Sequence, residues 1–165
     1  MRVSGWQIVL THSNRFINVD DMFLLFTNIE HLEQFKTYMN LQHPNMNFTS
    51  ELEVDDSIAF LDVFVTRTMD KFVTSVYRKP TFSGVYTHND SYIPLQYKSG
   101  LVYTLLHRSY SICTNWGQFH QEIEKIKSIM LKNGYSSTVI EKTVTFFLNK
   151  LFLKRTDQPT AQSTA

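Results

Sequence analysis

The chain has 165 residues, 42% hydrophobic and 14% aromatic, which is enough apolar side chain for a folded core. No run of about 18 apolar residues is present, so we expect no membrane span. Cys113 is the only cysteine, so no internal disulfide can form, which favours a nuclear or cytoplasmic location. The net charge of +1 divides unevenly, because residues 1–92 carry seven basic and eleven acidic side chains whereas residues 93–155 carry nine and three. The basic second half favours contact with a polyanion.

Two adjacent carboxylates follow a weakly patterned lead-in over residues 1–14. Asp20 and Asp21 stand directly before the apolar run 22–26, a pattern that predicts a β-hairpin with both acids at its tip. Hard divalent cations prefer carboxylate oxygens, so the pair is a candidate metal site. The alternative is a hydrated turn, because aspartate also suits turns.

The next segment has the spacing of an amphipathic helix. Thr27 or Asn28 can cap its first turn, and Glu30 is favourably placed near the positive end of the helix dipole. Apolar residues then recur every three or four positions. His43-Pro44 ends the predicted helix, because proline disfavours the helical conformation in the residue before it.

From residue 45 the hydrophobic period changes to two. Strands are predicted over 48–54, 58–67 and 72–78, with turns at Asp55-Asp56 and at residues 69–71. In the second strand Asp62 would share a face with apolar neighbours, where an unpaired charge is costly. The pairing register predicts an ion pair between Asp62 and Arg78 or Lys79.

The second half predicts three helices after a linker over residues 81–94. The first covers Leu95–Ile112 and the second 118–132, where Asn133-Gly134 is a stop signal. Ser137 or Thr138 can cap the third helix, and Thr138 with Glu141 fits a capping box. A short turn between the last two helices gives a helix-turn-helix outline, and residues 156–165 form a polar tail predicted to be disordered.

Basic side chains on these elements can follow a phosphate backbone. The alternative is a solvated lysine surface. The candidate nucleic-acid contacts are Arg78, Lys79, Arg108, Lys125, Lys132, Lys142 and Lys150.

Several motifs occur in the order found in the C-terminal part of reverse transcriptases from Penelope-like retroelements. The acidic box of that family, Arg-Tyr-Val-Asp-Asp-x-Phe, resembles Asn18-Val19-Asp20-Asp21-Met22-Phe23. The later matches are Phe60-Leu61-Asp62, Val76-Tyr77-Arg78-Lys79-Pro80-Thr81, Leu105-Leu106-His107-Arg108, Ile112-Cys113 and Asn133-Gly134-Tyr135. The resemblance covers about residues 15–155.

The resemblance implies an α+β chain made of a partial polymerase palm and a thumb-like region. The palm, residues 15–80, would be a short antiparallel sheet with one helix, and residues 95–155 would be a three-helix bundle with the helix-turn-helix outline. Asp20 and Asp21 would be catalytic and would bind Mg²⁺, and the partner would be an RNA/DNA template-primer or duplex DNA. A two-metal site needs carboxylates from different strands. Residues 1–14 hold no acid, so we expect the chain alone to be inactive.

Two other functional classes fit the same sequence. One is a stand-alone helix-turn-helix module that binds nucleic acid, with the sheet as its scaffold. The other is a non-catalytic adapter protein, in which the lysines would be scattered around the helices instead of gathered on one side.

Overall fold

The computed structural model describes residues 15–18, 21–26, 28–45 and 47–156. The chain is α+β, as the sequence predicts. The strands are β1 Arg15–Asn18, β2 Asp21–Leu24, β3 Ser57–Phe60, β4 Val63–Arg67 and β5 Phe72–Val76, and the helices are α1 Ile29–Leu41, α2 Leu95–Ile112, α3 Trp116–Lys132 and α4 Ser137–Thr156. The chain divides into two compact units, Met1–Val73 and Thr74–Ala165. None of the helices in the described ranges is long and apolar enough to cross a membrane.

The predicted hairpin is present at the start of the first unit. β1 pairs antiparallel with β2, and Asn18 lies opposite Asp21 at the closed end. The predicted strand over residues 22–26 is observed as β2, which begins one residue earlier and ends at Leu24. Asp20 lies outside the described residues, as do the lead-in 1–14 and the tail from residue 157.

The first helix, α1, begins at the cap that the sequence offers. The side chain of Asn28 accepts a 2.8 Å hydrogen bond from the backbone N–H of His31, which satisfies one of the free donors of the first turn. The helix ends at Leu41, before the predicted stop at His43-Pro44. Its buried Leu32 packs in a small core with Met22, Leu24 and Phe48.

Two strand predictions for the sheet are wrong. No strand forms over 48–54, where Glu51 and Val54 take part only in isolated bridges, that of Val54 being with Ser57. The turn between those two residues is confirmed, because Asp55 and Asp56 have φ of 51° and 55°, a left-handed conformation that aspartate tolerates.

The predicted strand over 58–67 is two antiparallel strands, β3 and β4. Phe60 lies opposite Val63, so Leu61 and Asp62 form the turn between them, and Leu61 has φ of 54°. Asp62 is therefore not in a strand, and the register that placed it opposite Arg78 or Lys79 does not exist. Leucine carries no turn signal, so alternation alone indicated one continuous strand.

The second unit contains α2, α3 and α4, which pack on one another. α2 has the predicted bounds, and α3 begins at Trp116 because Asn115 caps it through a 2.8 Å hydrogen bond from the backbone N–H of Gln118. α4 begins at Ser137, and Ser136 supplies the cap by accepting from the N–H of Val139 at 3.4 Å. Thr138 is thus inside the helix, and the predicted capping box is wrong. The shared core consists of Val102, Leu105, Leu106, Phe119, Ile123, Ile126, Met130, Tyr135, Ile140, Val144 and Phe147.

Candidate nucleic-acid interface

Four residues connect α3 to α4, and they form a tight turn. The first, Asn133, caps α3, and Gly134 has φ of +81°, a left-handed conformation that suits glycine at a helix end. Tyr135 is buried in the core of the second unit, and Ser136 caps α4. The predicted stop at Asn133-Gly134 is confirmed. Two packed helices joined by a short turn with glycine make a helix-turn-helix region.

Asn133 holds this turn to a segment that precedes α2. Its side-chain amide nitrogen donates 2.8 Å hydrogen bonds to the carbonyls of Gly84 and Ile129. Its side-chain oxygen accepts from the backbone N–H of Tyr86 at 2.9 Å, and its own carbonyl accepts from the N–H of Asn89 at 2.9 Å. Asn133 is 6% exposed, so these bonds satisfy polar atoms that water does not reach.

The same segment makes two further contacts with the turn. The hydroxyl of Tyr135 donates a 3.0 Å hydrogen bond to the carbonyl of Thr87, and burial raises the pKa of this tyrosine. His88 lies against Gly134, where an added Cβ would come within 2.7 Å of the imidazole. Residues 84–89, which the sequence places in a linker, therefore lie on the helix-turn-helix turn.

Comparison with protein families identifies the same region. Residues 85–145 match the family model described as the animal helix-turn-helix domain. No curated protein and no solved structure matches the chain. The matched range begins inside the segment that contacts the helix-turn-helix turn, and it includes α2, α3 and the first part of α4.

A polar stripe runs along the exposed side of α4, the second helix of the helix-turn-helix region. It consists of Thr138, Lys142, Thr145 and Asn149, all of which are exposed. Spacings of four, three and four residues place these side chains above one another on one side of a helix. The buried residues Ile140, Val144 and Phe147 occupy the opposite side and fix the orientation of α4.

Arg78, one of the predicted phosphate contacts, lies in an internal ion pair. Its guanidinium pairs with Glu122 of α3, whose side chain is 3% exposed. The same guanidinium lies over the ring of Phe82, 5.5 Å from its centroid. The Arg78–Glu122 pair connects the segment that follows β5 to α3 within the second unit.

Lysines of α3 also contact carboxylates. Lys125 lies 3.7 Å from Glu122. Lys127 bridges two helices, with its ammonium 3.1 Å from Glu124 and 2.8 Å from Glu141 of α4. The hydrogen bond to Glu141 is the largest of the effects that raise the pKa of Lys127.

The other predicted contacts are exposed. Lys150 lies over the ring of Tyr103, with its ammonium 5.5 Å from the ring centroid. The remaining predicted contacts, which are also exposed, are Lys79, Arg108, Lys132 and Lys142. Two of the predicted residues, Lys142 and Lys150, lie on α4. Glu141 is the only acidic residue of that helix.

Of the acidic pair, Asp21 lies within the described residues. Asp21 is partly exposed beside the closed end of the β1–β2 hairpin. Within the described ranges no group of three or more histidine, cysteine or acidic residues could hold a metal ion. Asp20 lies outside the described residues, so the Mg²⁺ assignment to Asp20 and Asp21 stays a prediction.

Three features of this interface were not recognised in the sequence. The polar stripe has a signal, because Thr138, Lys142 and Asn149 recur at helical spacing opposite the apolar residues. The contacts of Asn133 have no signal in the sequence, because they join positions that are 47 and 49 residues apart. The third feature is a set of aromatic rings on α2 and α4.

Proposed function

We propose that the helix-turn-helix region binds duplex DNA, with α4 in the major groove. The observation that carries this proposal is the polar stripe on the second helix of the region. In helix-turn-helix proteins that read DNA, the second helix contacts base edges through residues near its N-terminus. Thr138 and Lys142 lie within the first two turns of α4.

The side chains of the stripe have the chemistry that base edges require. Asparagine pairs with the N6 and N7 positions of adenine, lysine donates to the O6 and N7 acceptors of guanine, and threonine can donate or accept. Asn149 and Lys142 would supply the first two contacts, and Thr145 between them a third. None of the three is needed for the core, because each is exposed.

The charge distribution supports the same partner. α2 contains no acidic residue, and the single acid of α4, Glu141, is paired with Lys127. Lys142 and Lys150 are therefore not opposed by a free carboxylate of their own helix. Lysines that contact phosphates release bound counterions, so binding should weaken as salt rises. A partner of this kind also fits the expected nuclear or cytoplasmic location.

Fluorescence anisotropy with labelled duplex DNA tests this function. Lys142→Ala and Asn149→Ala should each weaken binding by about 1–3 kcal/mol if they contact bases. Lys71→Ala removes the same charge from an exposed turn of the first unit, and it serves as the matched control. If Lys142→Ala and Asn149→Ala bind as the Lys71→Ala control does, or if the parent chain shows no binding at low salt, the proposal is wrong.

We further propose that the first unit derives from a reverse-transcriptase palm. Its support is the β1–β2 hairpin, which puts Asp21 beside the connection that contains Asp20, together with the resemblance of the surrounding motifs. Such a hairpin tip would hold one divalent cation weakly, because carboxylate oxygens suit Mg²⁺ but few ligands are present.

Mn²⁺ titration followed by NMR tests the metal site. Paramagnetic broadening should be selective for amides near Asn18 and Asp21, and Asp21→Asn should reduce it. Asp70→Asn, in an exposed turn, is the control. Broadening of equal strength at Asp70, or none at the hairpin, would contradict the palm assignment. Primer extension with Mg²⁺ or Mn²⁺ then measures whether the site supports catalysis.

A further inference from the structure

A set of rings, with Tyr103 partly buried and His107 and Phe146 exposed, lies where α2 meets α4, and we name it with its neighbouring lysine the aromatic–basic face. It consists of Tyr103, His107, Phe146 and Lys150. The rings of Tyr103 and His107 are stacked, with centroids 6.5 Å apart and planes 24° from parallel. The ring centroid of Phe146 is 6.4 Å from that of Tyr103, and the ammonium of Lys150 lies over the ring of Tyr103.

These rings are not all needed to fill the core. Phe147 is 1% exposed and packs edge-on against Tyr103 at 5.2 Å, so it occupies the space between the helices. Its neighbour Phe146 is 61% exposed, and His107 is exposed as well. A single exposed phenylalanine is ordinary, but Phe146 adjoins the partly buried ring of Tyr103, which is itself stacked on the exposed ring of His107. The three rings therefore form one continuous surface.

The surroundings of this face are basic. α2 contributes Arg108 one residue after His107 and has no acidic residue, and α4 contributes Lys150 and, one turn earlier than Phe146, Lys142. The only acid of the two helices, Glu141, is engaged with Lys127. The occupant that such a surface complements carries negative charge and flat apolar rings together.

We infer that the aromatic–basic face binds single-stranded nucleic acid by stacking unpaired bases. Proteins that hold single strands combine a basic surface for the backbone with aromatic side chains on which the bases stack. Phe146 and His107 supply exposed ring surfaces for bases, and Lys150 is placed to contact phosphate. This is a second nucleic-acid surface, and it does not depend on the duplex reading proposed for the polar stripe.

A protein partner fits the face less well. A protein interface of ordinary size is depleted of lysine in its centre, whereas here the ammonium of Lys150 lies within the ring cluster. A duplex fits poorly too, because paired bases offer no ring surface to a side chain without unstacking. Unpaired bases offer that surface at every position.

Two labelled probes separate stacking from charge. Short oligothymidine and an abasic oligonucleotide of the same length carry the same phosphates, but only the first has bases. The full chain should bind oligothymidine about tenfold more tightly than the abasic strand at about 0.1 M salt. Phe146→Ala should remove most of that difference, and Phe146→Trp should keep it.

Controls make the result specific to this face. Tyr92→Ala removes an aromatic ring that is fully exposed elsewhere in the second unit, and it should leave both affinities unchanged. Phe146→Ala should keep duplex binding within about twofold, whereas Lys142→Ala should lower duplex binding, so the two proposals can fail separately. Equal affinity for the two probes, or oligothymidine binding unchanged by Phe146→Ala, would overturn the inference. Concentration-dependent self-association that Phe146→Ala abolishes, without oligonucleotide binding, would overturn it in favour of a protein interface.

Discussion

The side-chain amide nitrogen of Asn133, at the end of α3, donates a 2.8 Å hydrogen bond to the backbone carbonyl of Gly84, 49 residues earlier in the chain. The backbone N–H of Tyr86 donates a second bond to the side-chain oxygen of Asn133. Through these two bonds the segment before α2 becomes part of the helix-turn-helix region. The turn between α3 and α4 is therefore held by residues outside these two helices. The stability of the turn should depend on the segment before α2, which a helix-turn-helix outline alone would not include.

Asn133→Ala should lower the free energy of unfolding of the second unit by about 2–3 kcal/mol, because it leaves the Gly84 carbonyl and the Tyr86 N–H without their partner. Urea denaturation followed by circular dichroism measures the loss. Asn149→Ala, the same change at an exposed position of α4, should stay within about 0.5 kcal/mol of the parent chain. Equal effects of the two substitutions would mean that the contacts of Asn133 contribute little.

Gly134→Ala should destabilise the chain by roughly 1–3 kcal/mol, because φ is +81° and the new Cβ would lie 2.7 Å from the His88 ring. Gly100→Ala is the opposite case, since nothing lies within 4 Å of its Cβ position in α2. It should stabilise by about 0.5–1 kcal/mol through helix propensity. Thermal melts of the two variants should move in opposite directions, and a parallel shift would contradict the geometry of the turn.

Arg78→Met should be strongly destabilising, by about 3 kcal/mol or more, because it leaves the buried carboxylate of Glu122 without its main partner. Adding Glu122→Leu should restore most of the lost stability, since an apolar pair of similar volume replaces the ion pair without a desolvation cost. Denaturant unfolding of the single and double variants measures the coupling. Additive losses in the double variant would show that the two side chains act independently.

Tyr135→Phe should change the response of the chain to alkaline pH. Burial raises the pKa of Tyr135, so above about 10, where an unfolded tyrosine ionises, the folded state keeps a proton that the unfolded state loses. Stability due to this group is present below that pH and falls as pH rises. The phenylalanine variant should lose about 1 kcal/mol at neutral pH from the missing bond to Thr87, yet its stability should fall less between about pH 9 and 11.

The control for the pH experiment is Tyr92→Phe, since Tyr92 is fully exposed. Its unfolding free energy should follow the parent chain at every pH. If Tyr135→Phe also follows the parent chain in its pH dependence, the hydroxyl of Tyr135 does not titrate in a buried site.

Local signals in the sequence account for the helices better than for the strands. Apolar spacing and the stop at Asn133-Gly134 gave the bounds of α2 and the end of α3, because those signals act within a few residues. The division between β3 and β4 was missed because Leu61 adopts φ of 54° without the glycine or asparagine that normally marks such a turn. Alternation alone could not indicate where the strand reverses.

The candidate site was predictable only where local sequence signals identify its residues. Lys142 and Lys150 could be named from charge and helical position, whereas the pairing of Arg78 with Glu122 depends on packing between distant segments. The same holds for the contact of Tyr103 with Phe146, since it requires α2 and α4 to be packed together first. Sequence spacing indicates which residues share a helix face, but it does not show which faces meet.

We expect α4 to contact DNA through its polar stripe. An NMR titration of the ¹⁵N-labelled full chain with duplex DNA at about 0.1 M salt tests it most directly. The largest amide shifts should fall at Thr138, Lys142, Thr145 and Asn149, with smaller shifts on the buried side of α4. Shifts confined to the first unit, or none at any DNA concentration, would contradict it.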